Sequence, residues 1–385
     1  MANGWERCGL VCNQASVNDR LTPAWKICSE VLGERLVALF GPQHGFESTV
    51  QDNMIETGHG THVPTGLPVY SLYSETREPT PTMLSGLDTI IVDLQIIGCR
   101  VYTYKYTLAA CLRAAKRYGK RVVVLDRPNP LGGIFVEGNR LNLAVKSFVG
   151  EFPIPMRHGM TAGEAAQLFN RSIGAELQVL TLDGWNPAHV WTDLHRPWVI
   201  TSPNMPTAEC AYTFPGTVLY EGTNLSEGRG TTLPFLFIGA PYIKSAQSFA
   251  DLVLKHARSS VRGMHLRPTV FQPTFQKWSG KDCAGFQIHV LDPHVMQPYY
   301  LGLAILRAAI ELGGSQFGWK SPPYEYETKK DPIDLLLGIP ECKRWLTSDQ
   351  FDLRDQIWSE GIEDFVSDIA PSLLYDRKMQ ASVPK

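Results

Sequence analysis

Through the first two hundred residues, short apolar runs alternate with polar loops and stretches of helical spacing. Residues 7–13, 36–40, 67–72, 89–94, 121–125 and 177–182 read as strands. Those at 89–94 and 121–125 are apolar on both faces. Residues 198–201 read as one more. Helices are expected at 22–32, where Pro23 suits a first turn, and briefly from 81 to 84. A third helix, 106–118, places Leu108, Cys111, Leu112 and Ala115 on one face and ends at Gly119. A fourth opens on Thr161 with Glu164 three positions on, the pattern of a capping box. Strand, polar loop and helix in repetition predict a mostly parallel sheet covered by helices.

After residue 235 the pattern changes. Residues 286–290 alternate apolar and polar, as in a half-exposed sheet. Residues 299–312 and 353–369 carry amphipathic helical spacing. The fold expected is α/β: a Rossmann-like, mostly parallel domain over 1–230 and a smaller α+β domain over 231–385, with a cleft between them. No Ser/Gly-rich linker, internal repeat or low-complexity tract marks the boundary.

A chain of 385 residues exceeds one small core. Its 44% hydrophobic and 19% charged content is that of a globular protein, and a net charge of −2 gives no cause to expect nucleic acid. No apolar run reaches the ~20 residues of a membrane span, and residues 1–7 lack a secretory pattern. The eight cysteines, at 8, 12, 28, 99, 111, 210, 283 and 342, fall largely within apolar runs. Reduced, buried thiols are expected, and with them a cytoplasmic setting, or a periplasmic or secreted one if a leader has been trimmed.

Several familiar motifs are incomplete. Gly119-Lys120 is followed by Arg121, which rules out a Walker loop, and Gly228-Arg229-Gly230 lacks the third glycine of a dinucleotide fingerprint. Asn224-Leu225-Ser226-Glu227-Gly228 lacks the first glycine of a nucleophile elbow. Glu56, His59 and His62 lie in a Gly/Thr-rich stretch that reads as a solvated loop rather than a metal site.

Chemistry concentrates directly after the expected strands. The clusters are Asn13-Gln14-Ala15-Ser16, Gln43-His44, residues 93–100 with Tyr102 and Tyr104, Asp126-Arg127-Pro128-Asn129-Pro130, and Ser202-Pro203-Asn204-Met205-Pro206. Ligands of open α/β sheets bind at that edge, so the five are expected to converge on one rim. A sixth cluster, residues 220–232, holds Glu221, Asn224, Glu227 and Arg229 among three glycines and reads as a ligand loop.

These segments resemble the NamZ-type exo-β-N-acetylmuramidases along almost the whole chain. The likeness runs through Gly9-Leu-Val-Cys-Asn-Gln-Ala-Ser16, residues 39–46, Gly66-Leu-Pro-Val-Tyr-Ser-Leu-Tyr73, Pro79-Thr-Pro-Thr-Met-Leu84 and Val124-Leu-Asp-Arg-Pro-Asn-Pro130. It continues through Arg157-His158-Gly-Met-Thr161, residues 202–207 and 221–232, Phe271-Gln-Pro-Thr-Phe275 and Pro332-Ile-Asp-Leu-Leu336. The resemblance implies a glycoside hydrolase of cell-wall recycling that removes N-acetylmuramic acid from the non-reducing ends of peptidoglycan fragments. It implies no metal or other cofactor, and a muramic-acid-containing saccharide as partner.

Two positions depart from the family. Pro42-Gln43-His44-Gly45 stands where the pattern is Pro-Glu-His-Gly, the glutamate being the favoured catalytic acid, and Ile96 stands where Asp is usual. Three accounts are open: an inactivated or purely sugar-binding chain; another acid, from Glu47, Glu56, Glu221 or Glu227; or a substrate acetamido group acting as nucleophile, with Gln43 orienting it. The expected catalytic set is therefore Gln43, His44, Glu221 and Glu227. Substrate contacts are expected from Asn13, Tyr102, Tyr104, Asp126, Arg127, Asn129, Arg157, His158, Ser202, Asn204, Asn224 and Arg229. Arg229, Arg127 and Arg157 are the candidate clamps for a lactyl carboxylate.

Overall fold

The computed structural model describes residues 5–52 and 54–384. Its main sheet has seven strands: β1 (Cys8–Val11), β2 (Leu36–Gly41), β3 (Gly60–Thr61), β4 (Pro68–Ser71), β5 (Thr89–Val92), β6 (Arg121–Leu125) and, beyond the separate β7 (Phe135–Val136), β8 (Glu176–Leu180). Their order is β3-β4-β2-β1-β5-β6-β8, parallel throughout except for the β3–β4 pair. The chain grows outward from β1 in one direction and then, from β5, in the other. The crevice of such a sheet opens where the order reverses, at the carboxyl ends of β1 and β5. Both strands are wholly buried, which explains their unbroken apolar sequence.

Three helices flank this sheet: α1 (Ala24–Leu32), α2 (Tyr104–Tyr118) and α3 (Ala162–Ile173). Gly119 closes α2 in the left-handed conformation, donating its N–H to the carbonyl of Ala115. Thr161 and Glu164 form the expected capping box at α3. Pro23 caps α1 instead of entering its first turn.

The second part follows α4 (Ala208–Thr217). An antiparallel sheet, ordered β10-β11-β9, is made of β9 (Phe237–Ala240), β10 (Met264–Phe271) and β11 (Cys283–Val290). Helix α5 (Ala246–Ala257) packs on β10, β11 and α6 (Pro298–Gly313), and α6 packs on α4. Gly216 of α4 meets Gly302 of α6 backbone to backbone: a Cβ on Gly302 would lie 2.4 Å from the Gly216 Cα. Short helices α7 (Pro332–Leu337), α8 (Lys343–Leu346) and α9 (Ile362–Asp368) follow.

The chain then returns to the first part. Strand β12 (Gln380–Ala381) pairs in parallel with β7. Arg377 grips the buried Glu164 through two 2.6 Å bonds, and the Tyr375 hydroxyl donates to Asp126 at 2.6 Å.

Four expectations change. Residues 81–86 are turns, not a helix start. Residues 198–201 are not a strand: the Trp198 indole donates to the carbonyl of Met205, and the Thr201 carbonyl accepts from Asn13 and Tyr104 side chains. The amphipathic stretch 353–369 is broken at Gly361, whose φ of 71° starts α9 afresh. Helix α6 is buried nearly all round rather than amphipathic.

Candidate active site

The turn after β2 is compressed: a Cβ on Gly41 would lie 2.6 Å from the Phe46 nitrogen. His44 and Gly45 take positive φ, 70° and 88°, to complete it. This turn delivers Gln43 and His44 to a pocket at the carboxyl edge of the sheet. The loop after β5 adds Val101, Tyr102, Thr103 and the first residue of α2, Tyr104. Val149, Ser202 and Asn204 add to the lining, and the rest comes from the C-terminal half: Phe214, Val218, Glu221, Arg229, Phe235, Tyr324 and Glu325. The space between them, open mouth included, is ≈ 520 Å³.

Gln43 is almost fully buried. Its Oε1 accepts from the Thr103 hydroxyl at 2.5 Å, while its Nε2 donates to the Tyr73 hydroxyl at 3.1 Å and to Oε1 of Glu325 at 3.3 Å. Tyr73 in turn donates to Oε2 of Glu325 at 2.9 Å. Behind the pocket, the Asn13 amide donates to the Ser48 hydroxyl, the Tyr104 hydroxyl and the Thr201 carbonyl. Asn13 therefore holds the wall rather than facing the ligand. Tyr102 stands edge-on to Tyr104, ring centres 4.8 Å apart. Burial pushes the Tyr102 phenol up to about 12, so it serves as a neutral donor. Asn204 is tied to the Gln51 carbonyl at 2.7 Å.

His44 Nδ1 lies 2.8 Å from the Val50 carbonyl. A carbonyl only accepts, so Nδ1 carries the proton and Nε2 keeps its lone pair. Burial lowers the imidazole pKa to about 4, leaving a neutral ring whose free nitrogen can accept a hydrogen bond or a proton.

Charge is paired at the other wall. Arg229 Nη1 binds Oε1 of Glu221 and reaches Oε1 of Glu227 at 3.3 Å. Lys277 holds the far oxygen of Glu227 at 2.7 Å, and the Tyr324 hydroxyl donates to Glu221 at 2.6 Å. Burial opposes the guanidinium charge, but Glu221 and Glu227 outweigh it and raise the Arg229 pKa. Burial likewise opposes the Glu227 charge, and Lys277 with Arg229 reverses the balance and lowers its pKa. Glu227 sits behind Arg229 and outside the pocket.

The clusters after β1, β2, β5 and β6 lie at the shared carboxyl edge of the parallel sheet, but they do not all line one pocket. Arg127 turns away to clasp both oxygens of Asp93 and the Val17 carbonyl, in a separate crevice with Asp126. Asp126 accepts from Thr161, Gly163 and Tyr375, a structural junction. Asn129 ties Met160 to Leu131 and lies so close to Gly98 (φ +72°) that a Cβ there would stand 2.3 Å from its Oδ1. Arg157 forms a fully buried pair with Glu137 at 2.6 Å. His158 accepts from the Met160 N–H, and Asn224 pins Gln316 and Gly318. These side chains are engaged by the fold's own backbone and counter-charges, although Arg157 Nε and His158 Nε2 are buried without a hydrogen-bond partner. Of the three clamp candidates, only Arg229 reaches the pocket.

Glu47 and Glu56 are exposed, and Glu56 pairs with Arg77. Ile96 is buried in the apolar core. His62 is also buried, packed edge-on between Trp25 and Phe46, so its loop is not solvated throughout. Among the described residues no group of three His, Cys, Asp or Glu is placed to hold a metal ion, and all eight cysteines are free thiols. The sequence reading missed Thr103, Tyr73, Tyr324 and Glu325. The available signal for the last two was the run Ser321-Pro-Pro-Tyr-Glu-Tyr-Glu327, a Pro-marked turn rich in tyrosine and carboxylate.

Fold and site define a two-part α/β protein with a polar, carboxylate-bearing ligand pocket between its parts. The family models described as exo-β-N-acetylmuramidase NamZ, N-terminal and C-terminal, match residues 8–209 and 212–375. The chain belongs to the NamZ family. It is 43% identical over 318 residues, 82% of this chain and 76% of the relative, to the peptidoglycan β-N-acetylmuramidase NamZ of Bacillus subtilis (strain 168). Two crystal structures of DUF1343 family proteins from Bacteroides fragilis superpose on it, at TM-scores of 0.84 and 0.71 with 29% and 26% identity. Each match covers 96% of this chain and 94% of the other.

Proposed function

We propose that this protein is an exo-β-N-acetylmuramidase that releases N-acetylmuramic acid from the non-reducing ends of peptidoglycan fragments. The observation that carries the reading is the 43% identity to a peptidoglycan β-N-acetylmuramidase across both parts, which between them line the pocket. Tyr102, Ser202 and Asn204 offer donors and acceptors to sugar hydroxyls. Arg229 is the pocket's cation for the lactyl carboxylate that distinguishes muramic acid from glucosamine. His44 Nε2 accepts from the sugar or from water. Gln43, a neutral amide, supplies no proton and orients its neighbours instead. Eight thiols favour a reducing compartment, with imported fragments as substrate.

The test is release of N-acetylmuramic acid from a muramic-acid-terminated disaccharide by wild type and Gln43→Glu, with binding of the free sugar measured by calorimetry. Binding with release is the expected result; no binding and no release by either protein would overturn the assignment. Gln43 itself favours a second reading, a sugar-binding homologue. Binding without release by wild type, together with release by Gln43→Glu, selects it.

A further inference from the structure

Lys105 stands where stability alone would not put a lysine. It is the second residue of α2, so its cation faces the positive end of the helix dipole. It is also buried, only 1% exposed. Its Nζ donates to the Cys99 carbonyl at 2.6 Å and to the Tyr102 carbonyl at 2.5 Å, and lies 4.5 Å from the centre of the Tyr106 ring. None of those three groups carries a negative charge.

The two carbonyls bracket the loop that lines the pocket. Tyr102 donates its backbone N–H to the Cys99 carbonyl at 3.2 Å, closing a four-residue turn. The Tyr102 carbonyl belongs to the peptide that joins it to Thr103, so Lys105 fixes that plane. On one side of the plane is the Tyr102 ring, edge-on to Tyr104 and, at 6.0 Å between centres, to Phe214 of α4. On the other is Thr103, whose hydroxyl sets the Gln43 amide.

Burial lowers the Lys105 ammonium pKa to about 7; Cys99 opposes the fall and Arg100 adds to it. The titratable groups around it are the Cys99 thiol, Arg100 and the Tyr102 phenol in the loop, Tyr106 in α2, and His158. Burial pushes the thiol and both phenols up and the imidazole down, so all four stay neutral near pH 7. Arg100 keeps its charge. Within this set, Lys105 is the group that changes charge near neutrality.

Resting on the muramidase reading, we propose that Lys105 is the positioning residue of the pocket's tyrosine wall, and that its charge tightens this wall around the sugar. The ammonium holds both carbonyls through charge-assisted bonds, roughly twice as strong as neutral ones. A neutral amine keeps two N–H groups but loses that strength, and the peptide between Tyr102 and Thr103 loosens.

The test is calorimetric titration of N-acetylmuramic acid into wild type and Lys105→Met between pH 6 and pH 9. Wild-type affinity should fall about tenfold across that range, with a midpoint near 7. Lys105→Met fills similar space without donors, and should bind about tenfold more weakly than wild type at pH 6 with no further change as pH rises. A merely structural lysine would lower the melting temperature and leave both readings unmoved. Lys105→Met that binds within about threefold of wild type at pH 6, or that keeps the pH dependence, overturns the proposal. Should Lys105→Met fail to fold, the wild-type profile decides: a fall centred near 7 upholds the proposal, and constant affinity overturns it. Wild type that binds no N-acetylmuramic acid at any of these pH values overturns the muramidase reading, and the inference with it.

Discussion

The Thr103 hydroxyl donates to Oε1 of Gln43 at 2.5 Å, and that bond decides which way the amide points. With the oxygen committed to Thr103, the NH₂ must face Tyr73 and Glu325. Gln43→Glu would replace that donor by an acceptor 3.3 Å from a carboxylate. One of the two carboxyls must then keep its proton, with a folded-state pKa above the usual ~4.3. The variant should match wild type in stability below about pH 4 and fall behind as pH rises toward the raised pKa, by roughly 1–3 kcal/mol at neutrality. Thermal melts across pH 4–8 check this; a stability gap independent of pH would contradict it.

His44 gives the opposite pH signature. Its folded pKa is lowered by burial from 6.5 to about 4, so between those values the unfolded chain binds the proton and the folded chain does not. Stability contributed by this site is complete above 6.5 and declines as pH falls toward 4. His44→Asn should remove that part of the acid sensitivity. Nitrogen NMR of the wild type should show Nδ1 protonated and Nε2 bare at neutral pH.

Arg157→Met should act on stability and not on catalysis. It strands the Glu137 carboxylate, which is fully buried and also accepts from the Tyr299 N–H. Breaking one side of such a pair costs about 3–5 kcal/mol. Urea denaturation should show that loss, with KM for the folded protein unchanged. A raised KM would return Arg157 to the substrate site.

Gly302→Ala should damage both stability and substrate binding. The added methyl meets Gly216 backbone, which cannot rotate aside, and forces α4 and α6 apart. Overpacking of this kind costs about 1–3 kcal/mol. Helix α4 carries Phe214 into the pocket, so KM should rise with the fall in melting temperature. A lower melting temperature with KM unchanged would show that α4 holds its place.

The parallel strands were legible because burial on both faces leaves an apolar run no other element needs. Residues 198–201 mimicked that run because Trp198 packs edge-on against Trp191, a local contact that imitates a sheet strand in sequence. The break at Gly361 was hidden because the apolar spacing continues across it. At the site, Gln43, His44 and Tyr102 could be read from their places after strands. Asp126, Arg127 and Arg157 occupy equally suggestive places but are consumed by partners that sequence does not reveal. Glu325 stayed invisible for the converse reason: its contact with Gln43 spans 282 positions, and nothing local foretells it.

Glu164, which caps α3, is gripped by an arginine 213 positions further on. On the ribosome, the Rossmann-like sheet must therefore wait with a carboxylate that lacks its counter-charge at its flank until Arg377 has emerged. The two parts are thus not beads that mature in turn. The segment made late seals the segment made early, and a fragment severed between them would carry that unsealed charge for good.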